Sequence, residues 1–364
     1  MARPNSSERI YQQIFSRIES GEYPYNSFLP SEQELARELN VSRNTIRKAI
    51  LRLANENAVK KSQGRQSRVT YWSGGKNFQQ QNLAWISYMK PQMLFSNQIY
   101  FEMFKIMVEM ARVYGYGIHF FDIDRAGDWD PARLNEVSWH GIFAVGLSPQ
   151  LIGRENVAKL RAIPNLISID ETDDCPGKNI VTIDNYRSAR LMTEYLISCG
   201  ARNLGFLNDS IQRGLPFRER ERGFADAIAA ADGCSGVSVI LDLPPYSYFT
   251  VQIQKMIELL QQHPEVDCWF CANDNLATLA LSALDAMNIS TPGQVMIAGF
   301  DGVYTSQNIY PRLTTLVQPL REVVDAALKL AIDPRPAAPA VLKFTGRIFH
   351  GDTTRPPQGQ GVLS

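Results

Sequence analysis

The chain has few of the residues that build metal centres, disulfide frameworks or membrane spans. Its 364 residues include five scattered cysteines and four histidines, and the histidines lack metal-ligand spacing. No apolar run reaches the roughly 18 residues that a membrane helix needs, and the first residues lack the apolar stretch of a secretory signal. We therefore expect a cytoplasmic protein with no membrane segment, no metal, no cofactor and no disulfides.

Two of the cysteines form a CxxC motif, Cys268 and Cys271, with Trp and Phe between them. The surrounding segment, residues 266–272, is typical of a buried strand, on which positions i and i+3 face opposite sides. A redox-active CxxC needs a helix N-terminus instead. We therefore interpret both cysteines as structural.

The net charge of the whole chain is zero, but the charged residues are distributed unevenly along it. The chain has 37 basic and 37 acidic residues, of which the first 72 residues hold 12 and 7. The head (residues 1–72) therefore carries +5 and the remainder −5. A basic head is expected where a protein binds a phosphate backbone. Charge alone leaves an ordinary solvated helical hairpin equally open.

The segment 29–55 predicts two short helices joined by a tight turn. Ser31, with Glu34 three residues later, forms a capping box. Asn40-Val41 supplies the turn, and Ser42 caps the second helix. That helix buries apolar residues at helical spacing and turns polar residues outward near its N-terminus, where helix-turn-helix proteins contact base edges. The outward residues are Arg43, Asn44, Arg47 and Lys48.

Residues 58–69 predict a basic β-hairpin, or wing, after the second helix. Valines lie at both ends of the segment, and Gln63-Gly64 supplies a turn. From Ser42 to Arg68 there is one acidic residue, Glu56, against eight basic ones: Arg43, Arg47, Lys48, Arg52, Lys60, Lys61, Arg65 and Arg68.

These motifs resemble the GntR family of winged-helix regulators over about residues 7–71. The likeness lies in LPSEQELA, NVSRNTIRKAILRL and the QGR of the wing. It implies that the second helix reads the major groove and that the wing tip approaches the minor groove. Gln33 stands where the family usually has Arg, and Asn57 where it usually has Gly, although Asn tolerates a positive φ. The candidate DNA contacts are Gln33, Ser42, Arg43, Asn44, Thr45, Arg47, Lys48, Gln63, Gly64 and Arg65.

Beyond a polar, glycine-rich linker at 73–82, strand and helix patterns alternate through the body (residues 83–364). This βαβα order predicts an α/β fold of doubly wound parallel sheets, with enough strands for two similar lobes. We expect lobe 1 at about 83–181 and 313–335, and lobe 2 at about 182–312 and 340–357.

Polar residues follow several predicted strands, at the edge where such sheets bind ligands. Asp170, Asn273-Asp274 and Asp301 end strands, and Arg220 lies early in a helix. Asp and Asn in such places usually cap the next helix, which is our interpretation for Asp274. An Asp paired with the fork of Arg220 suits vicinal hydroxyls, since both groups form two directed hydrogen bonds.

The body resembles the effector domain of LacI/GalR repressors, itself similar to periplasmic sugar-binding proteins, over about residues 82–357. The matching segments are 181–200, RERGF at 220–224, ANDN at 272–275, GFDG at 299–302, PRLTTL at 311–316 and GDTTRPP at 351–357. The resemblance implies ligand contacts at Asp170, Arg220, Asn273 and Asp301. An aromatic platform for a sugar is expected from Tyr100 or Phe95, and a second from Tyr246 or Tyr248, with ordinary packing equally open for each.

A helix at about 99–114 is apolar on two faces, one with Ile99, Met103, Ile106 and Met110, the other with Phe104, Val108 and Ala111. Such a helix needs two partners. The second is either the same helix in another subunit, as in LacI-type dimers, or a deep core.

Taken together, the two resemblances predict a transcriptional regulator, and more specifically a repressor, that is not an enzyme. Its expected partners are operator DNA, a small-molecule effector of the monosaccharide type and a second copy of the chain, a plan similar to arabinose-type repressors. One alternative is a body that binds a protein or a phosphorylated signal. Another is a GntR-headed aminotransferase-like protein, whose body would be larger and would have a lysine-centred site.

Overall fold

The computed structural model describes residues 6–20, 22–23, 27–56, 58–60, 66–69, 81–88, 97–123, 134, 139–164, 166–170, 174–210, 214–243, 248–303, 308, 310–332 and 339–358. The chain divides into two compact units, residues 1–81 and 82–364. Within the described residues, no helix combines the length and apolar character that crossing a membrane requires. Most of the predicted linker, and the aromatic candidates Phe95 and Tyr246, lie outside the described residues.

The first unit is a small helical domain with a two-stranded hairpin. Its elements are α1 (Ser6–Glu19), α2 (Glu32–Glu38), α3 (Arg43–Asn55), β1 (Val59–Lys60) and β2 (Arg68–Val69). The strands are antiparallel, with Val59 opposite Val69. One core collects the inward face of each element: Ile10, Ile14, Ile18, Leu29, Leu35, Ile46, Ile50, Leu53, Val59 and Val69. The base of the predicted wing is therefore present, while Asn57 and the tip (Gln63, Gly64, Arg65) lie outside the described residues.

The helix ends follow the predicted capping. The backbone NH of Ser31 donates to Glu34 Oε2 at 2.7 Å, and the backbone NH of Glu34 donates to Ser31 Oγ at 3.2 Å. The backbone NH of Thr45 donates to Ser42 Oγ at 3.1 Å, which caps α3. Asn40 adopts a φ of 51° in the turn between the two helices. These caps fix where α3 begins and hence which residues occupy its first turn.

The second unit alternates strands and helices. Its first elements are β3 (Gln81–Ser87), α4 (Gln98–Val113), β4 (Tyr116–Asp122), β5 (Trp139–Val145), α5 (Pro149–Ile152), α6 (Arg154–Arg161), β6 (Leu166–Ile169) and β7 (Asn179–Ile183). Then follow α7 (Asn185–Ser198), β8 (Asn203–Asp209), α8 (Leu215–Ala229), β9 (Ser235–Leu241), α9 (Phe249–Gln261), β10 (Cys268–Cys271), α10 (Asp274–Ala286) and β11 (Met296–Asp301). The last are β12 (Thr314–Val317), α11 (Leu320–Ile332), β13 (Val341–Phe344) and β14 (Arg347–Phe349).

The strands of the second unit form two six-stranded sheets among the described residues. The first sheet has the order β4-β3-β5-β6-β7-β13 and the second β9-β8-β10-β11-β12-β14. The inner pairings are parallel, whereas β14 is antiparallel to β12. The predicted α/β class with parallel sheets is confirmed. The two sheets define lobe 1 and lobe 2.

The chain crosses between the lobes after β7, β12 and β13. We predicted that residues 313–335 belong to lobe 1 and residues 340–357 to lobe 2. Both predictions are wrong for the first strand in the range, which is β12 in the first case and β13 in the second. Strand β12 pairs with β11 in the sheet of lobe 2, and β13 pairs with β7 in the sheet of lobe 1. A short apolar strand does not encode which sheet it joins, so its sequence could not place the crossing.

Strand β10 carries both cysteines of the CxxC motif. All four of its residues are buried, and Cys268 and Cys271 are free thiols. Burial raises the pKa of both thiols, so the reactive thiolate form is disfavoured. The structural interpretation of this motif is confirmed.

Helix α4 packs on two neighbours within this chain. Met103, Met107 and Ala111 are buried in the core beside the sheet of lobe 1, and α4 also runs along α11. Helix α11 therefore supplies a second partner without another subunit. Val108, predicted within an apolar stripe, is instead 42% exposed.

Candidate functional site

The outer face of α3 presents the predicted polar row to solvent. The side chains of Arg43 and Arg47 are 65% and 52% exposed, and Asn44 and Lys48 are also exposed. On the opposite side, Ile46 and Ile50 are buried in the core of the head. The row lies in the first two turns of the helix, where backbone NH groups and the helix dipole favour anions. This surface has the charge and the shape that a DNA groove requires.

A carboxylate on α2 holds both arginines of the row. Glu32 Oε2 lies 3.4 Å from Arg43 Nε and 3.2 Å from Arg47 Nη2. Glu32 thus fixes the direction in which the two guanidinium groups extend. Sequence reasoning missed this contact, because the spacings of 11 and 15 residues between the partners correspond to no local motif.

Other candidates in the head have different roles. Ser42 Oγ lies 2.8 Å from Thr45 Oγ1, so both hydroxyls are engaged at the cap of α3. Gln33 is exposed beside Glu32 on α2. Arg52, counted above among the basic residues, pairs with Glu8 and Glu56 and stacks on the ring of Tyr11. Arg52 therefore connects α3 to α1. This structural role accounts for Arg52 without a contact to DNA.

In the body, four of the predicted contacts form one cluster, the cleft cluster, made of Tyr100, Asp170, Arg220 and Asp301. Tyr100 Oη donates to Asp170 Oδ2 at 2.8 Å within lobe 1. Arg220 Nη1 lies 3.7 Å from Asp301 Oδ1 within lobe 2. The two pairs lie close enough to interact across the lobes, because the negative charge of Asp170 raises the pKa of Arg220. The cluster therefore lies where the lobes face each other.

Arg220 is only 5% exposed, and several contacts hold its guanidinium in place. Its Nε donates to Asn185 Oδ1 at 2.9 Å, and its Nη1 donates to the carbonyl of Ala272 at 2.6 Å. Its guanidinium lies 3.7 Å from the ring centre of Phe300. Burial lowers the pKa of Arg220 and Asp301 opposes that shift. A guanidinium fixed in this way is preorganised to donate to a bound oxygen.

Asp301 ends β11 with a φ of 135°, and Gln318 Nε2 donates to its Oδ1 at 2.7 Å. Burial raises the pKa of Asp301 to about 7, the positive charge of Arg220 opposes the shift, and Asp274 adds to it. The carboxyl group therefore retains a proton more readily than an exposed aspartate does. Either form can accept a hydrogen bond from a ligand hydroxyl.

The helix cap that we predicted at Asp274 lies at Asn273, which we predicted as a ligand contact. Asn273 is the N-cap of α10, and its Oδ1 accepts from the backbone NH of Leu276 at 2.8 Å. Asp274 is no cap. Its Oδ2 accepts from the backbone NH of Gly302 at 2.9 Å, and its Oδ1 accepts from Thr315 Oγ1 at 2.6 Å. Asp274 thus anchors the backbone directly after Asp301.

Two glycines make the close approaches in the cluster possible. A Cβ at Gly146, whose φ is 61°, would lie 2.3 Å from Tyr100 Oη. A Cβ at Gly299 would lie 2.3 Å from Asp274 Oδ1. Neither contact could be recognised from sequence. Tyr248, the remaining described candidate, is 82% exposed and is the N-cap residue of α9.

The raised pKa of Asp301 predicts a pH-dependent stability. Between about pH 4 and 7 the folded state retains a proton that the unfolded chain releases, so stability falls as pH rises through this window. Asp301→Asn should remove this pH-dependent loss, so the stability of the variant should change less between about pH 4 and pH 8 than that of the parent. The comparison is made between the two pH values within each protein, because the variant also lacks the carboxylate partner of Arg220. Urea unfolding at both pH values measures this change, with the exposed Asp285→Asn as a matched control. An equal pH response in parent and Asp301→Asn would contradict the assignment.

Two sequence families match the chain. The profile of "Bacterial regulatory proteins, gntR family" matches residues 6–69, and that of the "Periplasmic binding protein-like domain" matches residues 193–354. The first range covers the head with its polar row, and the second covers most of lobe 2, including Arg220 and Asp301. Both sequence-based resemblances are confirmed.

Named relatives extend over most of the chain. The HTH-type transcriptional regulator RegA of Clostridium acetobutylicum is 24% identical over 330 residues, which cover 83% of this chain and 91% of the relative. The arabinose metabolism transcriptional repressor of Geobacillus stearothermophilus is 25% identical over 336 residues, which cover 89% of each. These relatives are transcriptional regulators, which confirms the prediction that the chain is not an enzyme.

Solved structures share the fold of the body. A LacI family transcriptional regulator from Enterococcus faecium with bound ribose superimposes with a TM-score of 0.58 at 20% identity, over 76% of this chain and all of that one. A LacI family regulator from Arthrobacter in complex with lactose gives 0.58 at 17% identity, with the same coverage. This chain is therefore a transcriptional regulator homologous to LacI/GalR-type repressors, with a GntR-type helix-turn-helix region joined to a periplasmic-binding-protein-like domain.

Proposed function

We propose that this regulator is a cytoplasmic repressor that binds operator DNA through its head and releases it when a sugar occupies the cleft between its lobes. The observation that carries the proposal is the cleft cluster, in which the Arg220–Asp301 pair of lobe 2 faces the Tyr100–Asp170 pair of lobe 1. The ribose and lactose complexes of its structural neighbours support the choice of ligand class.

The cluster has the chemistry that vicinal hydroxyls need. A guanidinium donates two parallel hydrogen bonds and a carboxyl group accepts two, so each can bridge neighbouring oxygens of a sugar ring. A ligand that exchanges the Tyr100–Asp170 and Arg220–Asp301 contacts for its own would bind both lobes at once. Such a ligand favours one angle between the lobes, and this preference is the basis of control.

We further propose that the repressor acts as a homodimer with one head on each operator half-site. Several large apolar side chains of the body are exposed and suit a subunit interface: Val108, Val113 and Tyr114 in lobe 1, and Ile240, Tyr248 and Phe249 in lobe 2. In this scheme Tyr248 belongs to the interface or to the rim of the cleft. Two heads would match a palindromic operator.

Operator binding should weaken steeply with salt. If each of two heads neutralises three or four phosphates, the plot of log affinity against log salt concentration should have a slope of about −5 to −7. Fluorescence anisotropy with a labelled operator, at about 50 to 300 mM potassium chloride, measures this slope. Lys48→Ala should reduce the slope by about one for each head. A slope near zero would contradict the head as the DNA-binding surface.

A thermal-shift screen against saccharides tests the effector assignment, since a ligand that binds only the folded body raises its melting temperature by mass action. A sugar that stabilises the parent but not Arg220→Ala would support the cleft cluster as its site. Stabilisation by phosphorylated metabolites or by a protein alone, with no response to any sugar, would replace this proposal with the alternative ligand class.

A further inference from the structure

A cavity of about 510 Å³ adjoins the cleft cluster on the side of Asp301. Ile99 and Ile106 of α4 and Leu320 of α11 line it from lobe 1, and Asp301, Gln318 and Arg347 line it from lobe 2 or its crossing segments. The cavity therefore borders both lobes, as the cleft cluster does. Its size is within the roughly 300–1,000 Å³ typical of small-molecule sites.

Asp301 is the member of the cleft cluster that also lines the cavity. Its Oδ1 lies 3.7 Å from Arg220 Nη1 and also accepts the hydrogen bond of Gln318, another residue that lines the cavity. Arg220 is buried, and the hydroxyl of Tyr100 is bound to Asp170. Of the cleft cluster only Asp301 lines the cavity, so the cavity forms a second compartment beside the polar cluster around Arg220. The cavity is large enough for a small molecule, because its volume of about 510 Å³ is within the range typical of such sites.

The lining of the cavity favours a neutral, polyhydroxylated group. Three cations (Lys105, Arg321 and Arg347) and three acidic side chains (Glu102, Asp301 and Glu322) line the cavity together, so the lining has no large excess of positive charge that would select an anion. Lys105 already pairs with Glu102 at 3.3 Å. Planar side chains such as Gln318 and Asn308 can donate and accept, and Ile99, Val303 and Leu320 offer apolar contact to the C–H face of a ring.

Resting on the proposed function, we propose that the effector has more than one sugar ring. One ring engages the cleft cluster, and a second, neutral ring occupies the cavity beyond Asp301, between Glu322 and Arg347. The effector class is therefore a disaccharide or a glycoside with a bulky polar aglycone. The second ring contacts α4 and α11 of lobe 1 together with Arg347, so it adds to the contacts that hold the lobes at one angle.

Isothermal titration of the full chain with neutral disaccharides, their constituent monosaccharides and the corresponding sugar phosphates tests the proposal. At least one disaccharide should bind tenfold or more tightly than either of its constituents. Arg347→Ala should remove most of that advantage, and Glu322→Trp, which fills the cavity, should remove it while monosaccharide affinity is retained. Both positions are exposed, so the variants should fold. Arg154→Ala and Glu155→Trp are the controls, since both alter exposed residues of α6 outside the cavity.

The outcomes separate this inference from the proposed function. If monosaccharides bind as tightly as every disaccharide, and Glu322→Trp changes neither affinity, the second compartment holds no ring and the inference is wrong while the sugar-responsive repressor stands. Preferential binding of a sugar phosphate would also overturn it, because the cavity would then select an anion. If no saccharide of any size binds, the proposed function itself fails and the inference falls with it.

Discussion

Arg220→Ala should lower effector affinity at least 100-fold, and the operator complex should no longer respond to effector, while operator binding itself persists. The guanidinium is buried, stacked on Phe300 and fixed by Asn185, so it is preorganised before a ligand binds. Removing one partner of a buried charged contact typically costs about 3–5 kcal/mol. Titration of effector into the variant, followed by operator anisotropy with and without effector, measures both effects.

Two further variants separate ligand binding by Arg220 from a role in folding. Arg222→Ala alters the same helix, but Arg222 is exposed and pairs with Glu219, so effector affinity should be unchanged. Arg220→Lys keeps the charge and loses the fork, and should fold while binding effector weakly. If Arg220→Ala loses operator binding as well, or if Arg220→Lys binds effector normally, Arg220 is not a ligand contact.

Arg47→Ala should weaken specific operator binding by about 10- to 100-fold, which corresponds to about 1–3 kcal/mol for the loss of a bidentate base contact. Arg47 is exposed in the first two turns of α3, and its guanidinium shares the Glu32 carboxylate with that of Arg43. The change leaves Ile46 and Ile50 in place, so the head should remain folded. Competition binding against operator variants gives the affinity and shows which base pair loses its selectivity.

The matched control for this prediction is Arg37→Ala. Arg37 is an exposed arginine at the end of α2, outside the polar row, and its removal should change operator affinity less than threefold. Effector affinity should be the same in the parent and both variants, since neither residue belongs to the body. An operator footprint and affinity of Arg47→Ala that match those of the parent would refute the assignment of α3 as the recognition helix.

The head was largely predictable because its signals are local. Ser31 and Ser42 are caps with their partners three residues away, and the apolar spacing of Ile46 and Ile50 orients α3. These features act within one or two helical turns, so the sequence alone determines which side chains face outward. The contact of Glu32 with both arginines depends on how α2 packs on α3, and no local pattern predicts it.

In the body, the strand-end residues were predictable as a group but not in their roles. Asn273 and Asp274 are neighbours with similar side chains. A local contact with Leu276 makes Asn273 the cap of α10, whereas a tertiary contact with Gly302 makes Asp274 the anchor of the backbone after Asp301. Likewise Gln318 and Arg347 line a cavity because β12 and the segment after β13 return to the cleft from distant parts of the chain. The sheet that each strand joins depends on pairing between strands that are distant in the sequence. The shape of the cavity depends on the same pairing.

The most direct test of the account is a measurement of operator affinity at zero and at saturating effector, with the full chain and the saccharide that gives the largest thermal shift. We predict that effector lowers operator affinity about 5- to 150-fold, the range of typical coupling free energies, and that operator lowers effector affinity by the same factor. The contradicting result would be a saccharide that binds the parent but not Arg220→Ala and that leaves the operator affinity of the parent unchanged. In that case the body would not control the head.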